Sequence, residues 1–121
     1  MRKNNIILKA SAGTGKTYRL SLEFIANLIR GVNYKNIVVM TFTKKATAEI
    51  KERIYDFLHQ IAFNEGNGAE LEKNLKEIYK FDNLNKNELQ NIYFEMIKNK
   101  EDIRISTIDG FTNQIFKNAI A

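Results

Sequence analysis

The 121-residue chain contains no cysteine. That excludes a disulfide framework and any thiolate metal site, and it fits a reducing cytoplasm. Its one histidine, His59, has no ligand partner at a metal-binding spacing, so it reads as surface or packing. No apolar run approaches the roughly 18 residues that a membrane span needs. The opening MRKNNIILKASAG is basic and then apolar, as in a secretory leader, but its apolar core is too short and runs straight into a glycine turn. Proline and tryptophan are absent, while Asn, Lys and Ile abound. Such a bias points to AT-rich coding and excludes no function. Glycine is sparse, with six residues, four of them in two close pairs, Gly13 with Gly15 and Gly66 with Gly68.

What is present suits a folded domain. Hydrophobic residues make up 44% of the chain, enough for a core. The net charge of +5 is unevenly spread: residues 1–63 hold 11 basic and 4 acidic groups, and residues 64–102 hold 6 and 9. A basic front half suits a polyanionic partner, nucleotide or nucleic acid, although a lysine-rich solvated surface gives the same count.

The pattern along the chain predicts an α/β fold. Asn5 to Lys9 is a short apolar run that predicts a buried strand. From Lys16 to Arg30, apolar residues at Leu20, Phe24, Ile25, Leu28 and Ile29 mark one helical face, and Gly31 stands where a C-terminal cap belongs. Asn36 to Phe42 is a continuous, β-branched apolar run, as expected of a parallel strand covered on both faces. Lys44 to Phe63 repeats the helical period. NEGNG, 64–68, reads as a loop, followed by two short amphipathic helices, the second opened by a capping pair, Asn85 and Glu88. Ile103 to Ile108 predicts a third strand and Gly110 to Ala119 a last helix. The expected architecture is a parallel sheet flanked by helices with right-handed crossovers, in three parts: 1–63, an acidic helical insertion over 64–102, and a return to the sheet over 103–121.

Between the first strand and helix lies ASAGTGKT, Ala10 to Thr17. Glycines let successive backbone N–H groups curl toward one anion, and the helix behind adds the positive end of its dipole. This makes Ser11, Ala12, Gly13, Thr14, Gly15, Lys16 and Thr17 a candidate phosphate loop, with Lys16 reaching the outer phosphates and the Thr17 hydroxyl joining a magnesium shell. Ala10 replaces the first glycine of the usual pattern; the anion nest lies in the second half of the loop, so the cost is small where no positive φ is needed. Tyr18 is either a base-stacking ring or a packing residue. The expected ligands are ATP and Mg2+.

Three stretches, in order, resemble superfamily 1 DNA helicases of the UvrD-like branch, and most of all the RecB and AddA helicase-nucleases. ASAGTGKT resembles the variant phosphate loop of that branch. TFTKKATAEIKERI, Thr41 to Ile54, resembles the motif TFTNKAAxEMxxR, and STIDGF, Ser106 to Phe111, resembles TxHSF or TIHGF. The resemblance covers Ile6 to about Phe116; 64–102 matches only in general character. It implies the front of the first of two RecA-like motor domains, with ATP hydrolysis driving 3′ to 5′ movement on single-stranded DNA in repair or recombination. By the same resemblance Thr41, Thr43 and Lys44 would touch the DNA backbone, and Thr107 and Phe111 would line its path. For Phe111 and Thr107, packing is an equal reading. Lysines at a helix start oppose its dipole, which favours a phosphate partner for Lys44 over plain solvation. Arg53 is either family-specific or an exposed helix residue. Tyr79, Tyr93 and Phe94 read as packing.

There are departures. Asp109 and Gly110 stand where His-Ser is common, Thr47 replaces an alanine, and no glutamine motif precedes the loop. An ATPase also needs an apolar strand ending in Asp-Glu, to order magnesium and orient water. ISTID is not one: Ser106 and Thr107 interrupt it, and Gly110 follows Asp109 where Glu belongs. The γ-phosphate-sensing arginines have no counterpart either. The expectation is therefore weak ATP binding and negligible turnover by this chain alone, with further domains, and partner subunits of a helicase-nuclease complex, supplying the rest. The competing readings are another phosphate-loop enzyme, such as a small-molecule kinase, and a non-catalytic nucleic-acid-binding module.

Overall fold

The computed structural model describes residues 6–9 and 16–107. Strand β1 (Ile6–Lys9) leads to helix α1 (Lys16–Ile29). A short 3-10 turn, Tyr34–Asn36, then feeds strand β2 (Ile37–Thr41) and helix α2 (Lys44–Phe63). Helices α3 (Gly68–Tyr79) and α4 (Lys86–Lys98) follow, and a second 3-10 turn, Lys100–Asp102, enters strand β3 (Arg104–Thr107). The three strands form one parallel sheet in the order β1-β2-β3. The register sets Leu8 beside Val39 and Val39 beside Ile105.

Each element has a local cause. β2 is the central strand, and all five of its residues are buried, as its unbroken apolar run requires. The edge strands β1 and β3 are only partly covered. α1 ends in a Schellman motif. Gly31 takes φ 96° and donates to Leu28 O at 3.0 Å, while Val32 donates to Asn27 O at 3.0 Å. α2 opens on Thr43, whose Oγ1 accepts from the Ala46 N–H at 3.0 Å, and closes on left-handed Asn64. Asn85 caps α4 as expected, accepting from the Glu88 N–H at 3.1 Å. The loop expected over 64–68 is one residue shorter, because Gly68 already opens α3. Glycine is required there: a Cβ would sit 2.1 Å from the Gln60 carbonyl oxygen.

α1 is covered more widely than one amphipathic face implies. Leu22, Phe24, Ile25 and Ala26 are all inaccessible. So is Ser21, which donates to Thr17 O at 2.7 Å, and Asn27 is nearly so, donating to Glu23 O at 2.9 Å. The reason is that α1 packs against β1, α2 and α3 at once. Leu71, Leu75, Leu89 and Met96, from the acidic helical stretch, belong to the same core as Leu8, Phe24 and Ile37. Lys86 fastens that stretch: its Nζ donates to Ile61 O at 2.7 Å, to Asn64 Oδ1 at 3.1 Å and to Glu72. Burial pushes the Glu72 carboxyl up, but hydrogen bonds from Lys86 and Lys76 outweigh it and hold the group below the usual carboxylate range. His59 packs between the Phe63 and Tyr93 rings, with centroids 4.8 and 5.0 Å away. Tyr79 also packs, but Phe94 is half exposed. The last helix expected over 110–119 lies outside the described residues.

Candidate nucleotide and nucleic-acid site

Parallel strands share one direction, so the chain leaves β1, β2 and β3 at the same rim of the sheet. Lys9 ends β1 beside Met40, and Thr41 ends β2 beside Thr107 of β3. In sequence these ends lead into the glycine loop, the turn into α2 and the STIDGF stretch, whose Ser106 and Thr107 are still in β3. Open α/β sheets bind ligands at this carboxyl rim, where helix N-termini and loop amides converge.

At the first of these segments, Ser11, Ala12, Gly13, Thr14 and Gly15 lie outside the described residues. Lys16 is the first residue of α1, so the helix begins where the loop motif requires. Thr17 Oγ1 accepts a hydrogen bond from Arg53 Nη1 at 2.6 Å, and Arg53 Nη2 stands 3.1 Å from Glu49 Oε1. Tyr18 turns away from the rim. Its ring meets Phe57 edge-on at 5.4 Å, and its hydroxyl accepts from Asn74 Nδ2 at 2.9 Å. It lines a cleft of about 340 Å³ with Asp56, Gln60, Asn67, Glu70 and Leu71. Of the two readings for Tyr18, this arrangement favours packing. Two carboxylates in that cleft make it a poor phosphate pocket.

The second segment divides its residues between two roles. Thr41 is wholly buried. Its hydroxyl lies 2.5 Å from Thr47 Oγ1, 3.2 Å from Thr43 O and 3.3 Å from Ser106 O. It therefore ties β2 to β3 and to the first turn of α2, and shows no surface to a ligand in this structure. Thr47, the departure from the family alanine, supplies one of those partners. Thr43, Lys44 and Lys45 are exposed, and neither lysine has an acidic partner among the described residues. The strand expected to reach Phe42 stops at Thr41, and Phe42 is 59% exposed at the rim. Sequence reasoning missed this ring because it sits inside an apolar run. The signal is its place immediately before the Thr43 cap, beyond the last ladder position. Thr107 is half-buried at the end of β3, and Phe111 lies outside the described residues.

The family description UvrD/REP helicase N-terminal domain matches residues 1–121. The chain belongs to this family. The UvrD/REP domain has a phosphate-loop NTPase type of fold, in keeping with the parallel sheet and flanking helices. The chain is 31% identical over 115 residues to an ATP-dependent helicase/nuclease subunit of Pediococcus pentosaceus, covering 95% of this chain and 8% of that protein. It is 30% identical over 112 residues to the protein of the same name from Streptococcus agalactiae serotype Ia, covering 93% and 8%. Against its namesake in Levilactobacillus brevis it is 41% identical over 76 residues, covering 62% and 6%. The chain thus spans less than a tenth of the length of these relatives. No solved structure matches it significantly. No helix among the described residues is long and apolar enough to cross a membrane.

Proposed function

We propose that this chain is the nucleotide-binding front of an ATP-dependent DNA helicase, a motor that moves on single-stranded DNA in repair or recombination. The single observation that carries the reading is that β1, β2 and β3, each leading in sequence to one of the three motif stretches, run parallel and end side by side, in a member of the UvrD/REP family. The glycine loop and Lys16 would hold the phosphates of ATP, and the Thr17 hydroxyl would stand in the magnesium shell. The donor set fits that ion. Magnesium is usually held by one or two protein oxygens together with phosphate oxygens and water, and Thr17 presents one hydroxyl at the first turn of α1. When bound, the ion supplies charge neutralisation at the phosphates.

On the same rim, Thr43 and Lys44 would contact the DNA backbone, with Phe42 offering a face to the bases; base–aromatic stacking is tolerant of sequence. Thr41 positions these residues instead of touching DNA. Thr107 and Phe111 would extend the path. Turnover is absent from this chain alone, because the carboxylate pair and the γ-phosphate arginines must come from elsewhere. The relatives are named as subunits of a helicase/nuclease, which favours an assembly with further domains and a partner protein.

The test is fluorescence anisotropy with a labelled single-stranded oligonucleotide. The expected result is salt-sensitive binding, weakened by Lys44→Ala and by Phe42→Ala. Binding unchanged in both variants removes the rim as the DNA path. Binding that is also indifferent to ATP and to Lys16→Ala favours a non-catalytic nucleic-acid module.

A further inference from the structure

In sequence Arg53 is either family-specific or an exposed position on α2; in the structure it is partly covered and in contact with α1. The guanidinium reaches from the third turn of α2 to the first turn of α1, where Nη1 donates to Thr17 Oγ1 at 2.6 Å. Nη2 is held by Glu49 Oε1, one turn earlier, at 3.1 Å. Among the described residues this is the only side-chain hydrogen bond between α1 and α2. Thr17 is itself fixed, since its carbonyl accepts from buried Ser21.

A threonine hydroxyl has two lone pairs and one proton. Given the nucleotide site proposed above, on which the inference rests, one lone pair belongs to magnesium when nucleotide is bound, with the ion about 2.1 Å away. Arg53 holds a lone pair of the same oxygen. A guanidinium and a divalent cation sharing one small ligand atom stand within about 5 Å of each other, where like charges repel strongly. Thr17 is β-branched, with few rotamers in a helix, so it has little freedom to serve both. The geometry points to Arg53 as a magnesium-displaced latch: it ties α1 to α2 through Thr17 in the metal-free state and lets go when the metal–nucleotide complex binds. α2 begins at Thr43 and Lys44, so release at Arg53 removes the one side-chain hydrogen bond, among the described residues, between the helix that carries the DNA-facing residues and the helix that carries the phosphate loop, while their apolar packing holds. Arg53 is thus a positioning residue that acts through Thr17.

Charge gives the latch a signature that a merely structural arginine lacks. Arg53 attracts metal-free nucleotide, which is strongly negative, more than it attracts the magnesium complex. It also opposes the ion at Thr17. Both effects lower the factor by which magnesium improves nucleotide affinity. Titration of the chain with a fluorescent ADP analogue, once with magnesium and once with EDTA, measures that factor. In Arg53→Gln it is expected to rise by about fivefold or more, the low end of usual coupling between sites. In a Thr17→Val background the rise caused by Arg53→Gln should be clearly smaller, because the shared oxygen is gone and only the guanidinium's attraction for free nucleotide remains. A second readout needs no variant. The Arg53 guanidinium NMR signal of the wild-type chain should move further on adding the magnesium–ADP complex, as the bond to Thr17 breaks, than on adding ADP with EDTA. An unchanged or reduced factor in Arg53→Gln, or a guanidinium signal indifferent to magnesium, overturns the latch while leaving the nucleotide site intact. No nucleotide binding in either condition overturns the site, and the latch with it.

Discussion

The carboxyl rim of the sheet and the α3–α4 layer treat their polar groups in opposite ways. In the helical layer one charged cluster is closed within the molecule: Lys86 meets Glu72, Ile61 O and Asn64, and Lys76 meets Glu72 at 3.1 Å. At the rim, Lys44 and Lys45 stand at a helix start with no acidic partner among the described residues, beside a half-exposed phenylalanine. Groups that satisfy each other contribute to the fold, whereas groups left facing solvent against a helix dipole gain only from an external anion. The layer's paired cluster therefore belongs to stability, and the rim is left open for the binding proposed above.

Substitutions sharpen that division. The largest effect on folding is expected from Gly68→Ala, which drives a Cβ into the Gln60 carbonyl and separates α3 from the end of α2. About 3 kcal/mol should be lost in urea unfolding. Lys86→Ala leaves the half-buried Glu72 with one cation instead of two and costs about 2 kcal/mol. Because the Glu72 carboxyl is held below its usual range, the unfolded chain binds the extra proton as pH falls. Its stabilisation is fully present above the ordinary glutamate pKa of about 4.3 and fades as pH falls below it. Acid titrations of stability should be steeper in the wild type than in Lys86→Ala. Thr43→Ala removes the α2 cap and should cost about 1 kcal/mol. Lys44→Ala should change stability by less than about 0.5 kcal/mol, yet reduce the salt slope of DNA binding by about one. A Lys44→Ala variant as destabilised as Lys86→Ala breaks the division.

How much was legible follows from the range of each interaction. Period and punctuation gave α2 its full extent from Lys44 to Phe63, the Schellman cap at Gly31 and the Asn85 cap, because those signals lie within a few residues of their effects. The apolar run of β2 carried its burial on both faces. What was illegible depends on partners far along the chain. Thr41 stands in the motif beside Thr43, and its burial is set by Ser106 across the sheet. Tyr18 follows the loop in sequence but is claimed by Phe57 and Asn74. Arg53 lies 36 positions from Thr17, and no spacing rule pairs them. The family resemblance named three separated stretches; the sheet register explains why the strands that lead to them end side by side.

The central claim is that this rim binds nucleotide through the glycine loop. Isothermal titration of the chain with magnesium–ATP, compared with Lys16→Ala, tests it most directly. The account predicts weak, saturable binding without turnover in the wild type, lost in Lys16→Ala while the variant stays folded. Equal binding by both chains, or none by the wild type, contradicts it.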